Sequence, residues 1–116
     1  MNIKVVKSND ISRVIINEPE TYNSLSFKNL NDLIKVFKKL DDDRKIKVII
    51  LEGAGKGFSA GHNLKEVRNL KSKKKYQRLF NLCSKLMLLI VEGRKPVIAK
   101  VHGAAYAAGC QLVASC

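Results

Sequence analysis

Four glycines, Gly53, Gly55, Gly57 and Gly61, crowd into one short stretch that ends Phe58-Ser59-Ala60-Gly61-His62-Asn63. A second small-residue stretch runs His102-Gly103-Ala104-Ala105-Tyr106-Ala107-Ala108-Gly109-Cys110. Each follows an apolar, β-branched run: Lys47-Val48-Ile49-Ile50-Leu51 in the first case and Val97-Ile98-Ala99-Lys100-Val101 in the second. Small side chains let backbone approach a ligand closely, and unpaired N–H groups at a helix start favour negative charge. Two such ends converging from neighbouring strands would put two N–H donors on one oxygen, the geometry of an oxyanion hole. The same spacing also suits two ordinary strand-to-helix turns, and residue types alone leave both readings open.

Other chemistries find less support. In a P-loop register Gly55-Lys56 is followed by Gly57 where Ser or Thr belongs, and Ile50 stands at the first glycine. A dinucleotide fingerprint starting at Gly53-x-Gly55 reaches Phe58 instead of its third glycine. His62 and His102 lie in different segments without a partner at helical spacing, so no metal site is expected. Cys83, Cys110 and Cys116 are odd in number and form no C-x-x-C pair, which argues against a zinc knuckle or a disulfide framework.

The elements that must position the two loops are legible from periodicity. Ile3 to Lys7 and Ile11 to Asn17, split by Ser8-Asn9-Asp10, read as a hairpin. Ser26 is an N-cap, after which Phe27, Leu30, Leu33, Ile34, Phe37 and Leu40 predict a helix to about Lys39, with Asp41-Asp42-Asp43 breaking the pattern. A second helix is expected from about Lys74 to Glu92, with Leu79, Leu82, Cys83, Leu86 and Ile90 on its stripe and Gly93 as its stop. The two apolar runs read as strands covered on both faces. Two successive helix-then-strand units predict an α/β fold with parallel pairing. Ala107 to Cys116 reads as a helix start without a stop signal, so the chain is expected to end inside a domain.

The 116 residues carry 22 Lys+Arg against 10 Asp+Glu, a net charge of +12. The basic residues are mostly Lys, and the one dense run, Lys71-Ser72-Lys73-Lys74-Lys75, adjoins only Tyr76 and Arg78. Nucleic-acid surfaces interleave Arg and aromatics along a face, so no nucleic-acid partner is expected. Basic charge instead favours an anionic small molecule. The longest apolar run, Leu86 to Val91, is far short of the ~20 residues that span a bilayer. Met1 reads directly into a strand, with neither a signal-type stretch nor a presequence, so neither secretion nor membrane insertion is expected.

The two loops themselves carry a resemblance. Phe58 to Glu66 and Lys95 to Leu112 resemble the two signature segments of the crotonase (enoyl-CoA hydratase/isomerase) superfamily. Asn17-Glu18-Pro19 followed by Tyr22-Asn23-Ser24-Leu25 is similar to that family's strand-to-helix loop. Gly61-His62 and Gly109-Cys110-Gln111-Leu112-Val113-Ala114-Ser115-Cys116 are most similar to a mitochondrial branch of it.

The resemblance implies a crotonase-like spiral of ββα units, of which residues 1–116 would be the N-terminal part, and assembly into trimers or hexamers. It implies an acyl-CoA thioester as substrate, coenzyme A entering only with it and no other cofactor. The oxyanion donors would be the backbone N–H groups of His62 and Ala108, with Ala60, Gly61, Asn63, Leu64 and Lys65 along the CoA-binding strip. Two departures accompany it. Gln111 stands where hydratases of the family carry a catalytic Glu, and an amide cannot take or give a proton near neutral pH. Glu20 stands at a loop position that is often basic in the family. Hydratase or isomerase chemistry in fatty-acid metabolism is thus one expectation, and a non-catalytic acyl-CoA-binding or assembly module is the alternative. The compartment implied is mitochondrial, with the cytoplasm as the other reading.

Overall fold

The computed structural model describes residues 1–116. Its elements are β1 (Ile3–Ser8), β2 (Ile11–Ile16), a single 3-10 turn at Pro19–Thr21, α1 (Phe27–Asp42), β3 (Val48–Gly53), α2 (Leu64–Asn69), α3 (Lys73–Glu92), β4 (Val97–Lys100) and α4 (Ala108–Ser115). The sheet order is β1-β2-β3-β4. β1 and β2 form the expected antiparallel hairpin, closed by Asn9-Asp10 with Asn9 at φ 55°, a left-handed value that Asn tolerates well. β2–β3 and β3–β4 are parallel, as the alternation of helix and strand predicts. No helix is long and apolar enough to cross a membrane.

The core lies between one face of the sheet and the helix pair α1–α3. Leu30, Leu33, Ile34, Phe37 and Leu40 of α1 meet Leu79, Cys83, Leu86, Met87 and Ile90 of α3 over Val14, Ile16, Ile49 and Leu51. Leu82, expected on the stripe, is only partly buried, and Met87 takes the inner position.

Two expectations are corrected. Within residues 1–116 the strands are covered on one face: Ile49, Leu51 and Gly53 are buried, whereas Ile50 is half-buried and Ile98 of the edge strand β4 is 54% exposed. An apolar run does not tell whether a second layer exists to cover it. On that open face Arg13 grips Glu52 through two bonds, Nη2 to Oε1 at 2.8 Å and Nε to Oε2 at 3.0 Å. The hydrogen bond, reinforced by the guanidinium charge, holds the Glu52 carboxyl below its ordinary range.

The second correction is the end of α1, which runs through Asp42 instead of stopping near Lys39. The reason is distant in sequence. Lys95 Nζ donates to the carbonyls of Leu40 and Asp43, and Arg94 Nη2 donates to the Asp41 carbonyl at 3.0 Å. Cations at a helix C-terminus satisfy carbonyls left without an intrahelical partner. The Asp41 carboxylate accepts the Arg94 amide at 2.8 Å, and that bond above all lowers its pKa.

Candidate active site

Beyond the ends of β3 and β4 the two small-residue loops continue to pair. Phe58 N donates to Ala104 O at 2.9 Å and Tyr106 N to Ser59 O at 3.0 Å, adding one parallel bridge between Ser59 and Ala105. The loops therefore stay side by side up to Gly61 on one chain segment and Tyr106 on the other.

There the second loop turns sharply. Gly109 N donates to Tyr106 O at 2.7 Å, and Ala107 sits at φ 49°, ψ −118°. These are the values of the first central residue of a type II′ turn, a place normally held by glycine. Type II′ differs from type I′ by a flip of the central peptide, so the Ala107 backbone decides where the Ala108 N–H points. α4 starts at that residue. The turn is pressed against the first loop: a Cβ on Gly109 would lie 2.3 Å from Ser59 O, so no side chain fits there.

Gly61, at φ +88°, faces this turn. A Cβ on it would sit 3.1 Å from Ala108 N and 3.0 Å from Tyr106 O. The Ala108 amide thus lies against the residue whose following peptide carries the His62 N–H. Neither the His62 nor the Ala108 amide donates a hydrogen bond within the chain. Two unpaired donors on adjoining bends, one at the positive end of a helix, suit an oxygen that gains negative charge. Gly61→Ala forces a side chain onto a positive φ and a methyl onto this gap. We expect a loss of about 1–3 kcal/mol in urea unfolding, from backbone strain alone.

The first loop is held from behind by residues that sequence reading did not single out. Asn23, fully buried at φ 54°, donates through Nδ2 toward the carbonyls of Ala54 (2.8 Å), Gly57 (3.0 Å) and Phe58 (3.1 Å) and accepts Glu18 N through Oδ1 at 2.9 Å. Ser59 Oγ donates to Asn23 O at 2.8 Å and accepts Gly61 N at 3.2 Å. Ala60 N reaches Tyr22 O, and Leu25 N reaches Gly61 O. The usable signal was an Asn in a turn beside Pro19, the residue type that both tolerates the left-handed region and bonds neighbouring backbone.

The other expected site residues fall into two groups. Ala60 lines a cavity of about 330 Å³ together with Tyr22, Lys56 and Tyr106, beside the two bends. Asn63 Oδ1 accepts Glu66 N at 3.2 Å as the N-cap of α2, and Leu64 and Lys65 stand on the exposed side of that helix. Gln111 lies three residues after Ala108 on α4, exposed, its side-chain amide without a partner in the chain. His102 is a loop tie, Nε2 lying 2.6 Å from Gly55 O. A larger cleft, about 650 Å³, lies elsewhere, between the C-terminal ends of α1 and α3 near Asp41 and Glu92.

The chain is similar to known proteins in sequence and in fold. The Xenopus laevis enoyl-CoA hydratase domain-containing protein 3, mitochondrial, is 46% identical over 106 residues, which are 91% of this chain and 36% of that protein. The crystal structure of an enoyl-CoA hydratase of Mycobacterium smegmatis superposes over 100% of this chain and 46% of its own with a TM-score of 0.97 at 39% identity. That of human enoyl-CoA hydratase domain-containing protein 3 gives 0.95 at 37% identity over the same shares. The chain therefore spans 36–46% of the length of these relatives. The profile of the enoyl-CoA hydratase/isomerase family matches residues 6–116, taking in both bends and the Asn23 loop, and the fold is that of the crotonases: this chain belongs to that family.

Proposed function

We propose that this chain binds an acyl-CoA thioester and holds its carbonyl oxygen, as enolate charge develops, between the backbone N–H groups of His62 and Ala108. The observation that supports the reading is the pair of unbonded amides on adjoining bends, separated by the bare Gly61. The positive end of α4 adds to the same field. The cavity beside Ala60, with Lys56 on its wall, suits part of the coenzyme A moiety, and Leu64 and Lys65 extend the strip. Hydratase or isomerase chemistry in mitochondrial fatty-acid metabolism, and assembly into trimers or hexamers, belong to the same proposal. Relatives named as a hydratase and an isomerase support the choice of chemistry.

Titration calorimetry with crotonyl-CoA tests it: sub-millimolar binding is expected, and no binding at that level overturns it. The affinity should fall as salt rises. Lys65, Arg68, Lys71, Lys73, Lys74, Lys75 and Arg78 face a single acid, Glu66, over this stretch. Phe80, further along α3, has its ring 5.4 Å from that of His62. Lys75 lies ~7.5 Å from Phe80 along the helix axis, within a Debye length of about 8 Å at physiological salt. Crotonyl-pantetheine, which lacks the phosphates, should show no such salt dependence. Gln111 favours a second reading, a binding module without turnover. Incorporation of deuterium at the thioester α-carbon in D2O separates the two, since only enolate formation allows it.

A further inference from the structure

We propose that the imidazole of His62 is the proton carrier of this site, its Nε2 taking the α-proton of the thioester whose oxygen the same residue's amide holds; the proposal rests on the acyl-CoA reading above. The ring is oriented at two points. Nδ1 lies 3.2 Å from the Leu25 carbonyl oxygen, and the ring meets Phe80 edge to face, centroids 5.4 Å apart at 69°. A carbonyl oxygen only accepts, so Nδ1 carries the hydrogen, and the neutral ring then presents Nε2 as a lone pair. No group of the chain hydrogen-bonds to Nε2. Amide and ring belong to one residue, which ties the proposed base to the proposed oxyanion donor.

Within residues 1–116 several other groups near the two bends are already committed. Gln111 cannot transfer a proton. Glu66 Oε1 accepts Phe27 N at 2.9 Å and caps α1. Glu18 accepts from Asn2, Thr21, Ser24 and Asn29. Glu52 is paired with Arg13, and His102 is bound to the Gly55 carbonyl. His62 is the remaining imidazole, half-buried and held in place.

The step balances without any further reagent. The α-carbon–hydrogen bond breaks and an Nε2–H bond forms. The released electron pair makes the Cα–C double bond, while the carbonyl π pair moves onto the oxygen between the two amides. The imidazolium then returns its proton to the α-carbon, or to the far end of a conjugated acyl chain, and the enolate collapses. Nothing is oxidised or reduced.

His62→Asn separates this role from a structural one. Asn Nδ2 reproduces the donor to Leu25 O, and the backbone amide is kept, but Nε2 is gone. Calorimetry should show butyryl-CoA affinity within about threefold of the parent chain, while α-deuterium incorporation in D2O falls by about 10²–10⁴-fold, the range of general acid–base catalysis. Exchange by His62→Asn within a few fold of the parent overturns the proposal. Binding without exchange by the parent chain overturns it too, yet leaves the acyl-CoA reading standing; no binding by the parent chain overturns both. Should His62→Asn fail to fold, diethyl pyrocarbonate acylation of the parent protein, located by peptide mass spectrometry, decides. Exchange should disappear in step with acylation of His62, and acylated protein that still exchanges overturns the proposal.

Discussion

Replacing Ala108 by proline is expected to cut enolate-dependent exchange or turnover by about 10²–10³-fold, the ~2.7–4 kcal/mol that one oxyanion donor supplies. Proline deletes the N–H and alters no charge. Ala108 is the first residue of α4, where an N–H has no intrahelical partner and proline's fixed φ suits the helix, but the proline Cδ would enter the gap beside Gly61, and Ala107 precedes it at φ 49°. A circular dichroism spectrum matching that of the parent chain is therefore the check that the variant folds. Ala108→Gly is the control: it keeps the N–H and should keep most of the rate. A proline variant that exchanges at near-parent rate removes Ala108 from the site, whatever His62 does. The readout is the rate of α-deuterium incorporation at saturating acyl-CoA, so a change in affinity does not enter it.

The second large effect is expected at Asn23, far from any reacting atom. Asn23→Ala strips the partner from the carbonyls of Ala54, Gly57 and Phe58 and from the Glu18 amide, in a place without exposure. An orphaned buried polar group costs about 1–3 kcal/mol, and with partial relaxation the sum should reach roughly 3–5 kcal/mol. That is a large share of the about 5–15 kcal/mol that holds a domain together. Asn23→Gly separates two causes: glycine accepts the φ of 54° but supplies no amide, so most of the loss should persist. Urea unfolding of both variants measures this. A loss below about 1 kcal/mol for Asn23→Ala would mean that the loop is held by its backbone bonds alone.

The two predictions differ in how visible their residues were. Ala108 stood out in the sequence through the small-residue loop and its resemblance to a family signature. Asn23 lay inside a quoted motif, yet nothing local announced that its amide reaches residues thirty and more positions ahead. Ser59 hides in the same way: a hydroxyl in a glycine-rich loop says nothing of bonding Asn23 O on one side and Gly61 N on the other. The acidic triplet Asp41-Asp42-Asp43 misled for a related reason. Taken locally it ends a helix, but Arg94 and Lys95 bind its carbonyls and carboxylates and carry α1 to Asp42.

Periodicity and turn chemistry act between near neighbours, so residue order by itself determined the hairpin at Asn9, the buried stripes of α1 and α3, the parallel pairing and the placing of a small-residue bend after each of β3 and β4. Tertiary structure alone decided that Asn23 clamps the first bend and that Ala107 adopts a backbone its side chain disfavours. That last choice directs the Ala108 amide. No local preference of alanine leads to it; the contact of Gly109 with Ser59 O and the bond from Gly109 N to Tyr106 O hold the turn there, and those are forces between segments that meet only when the sheet forms.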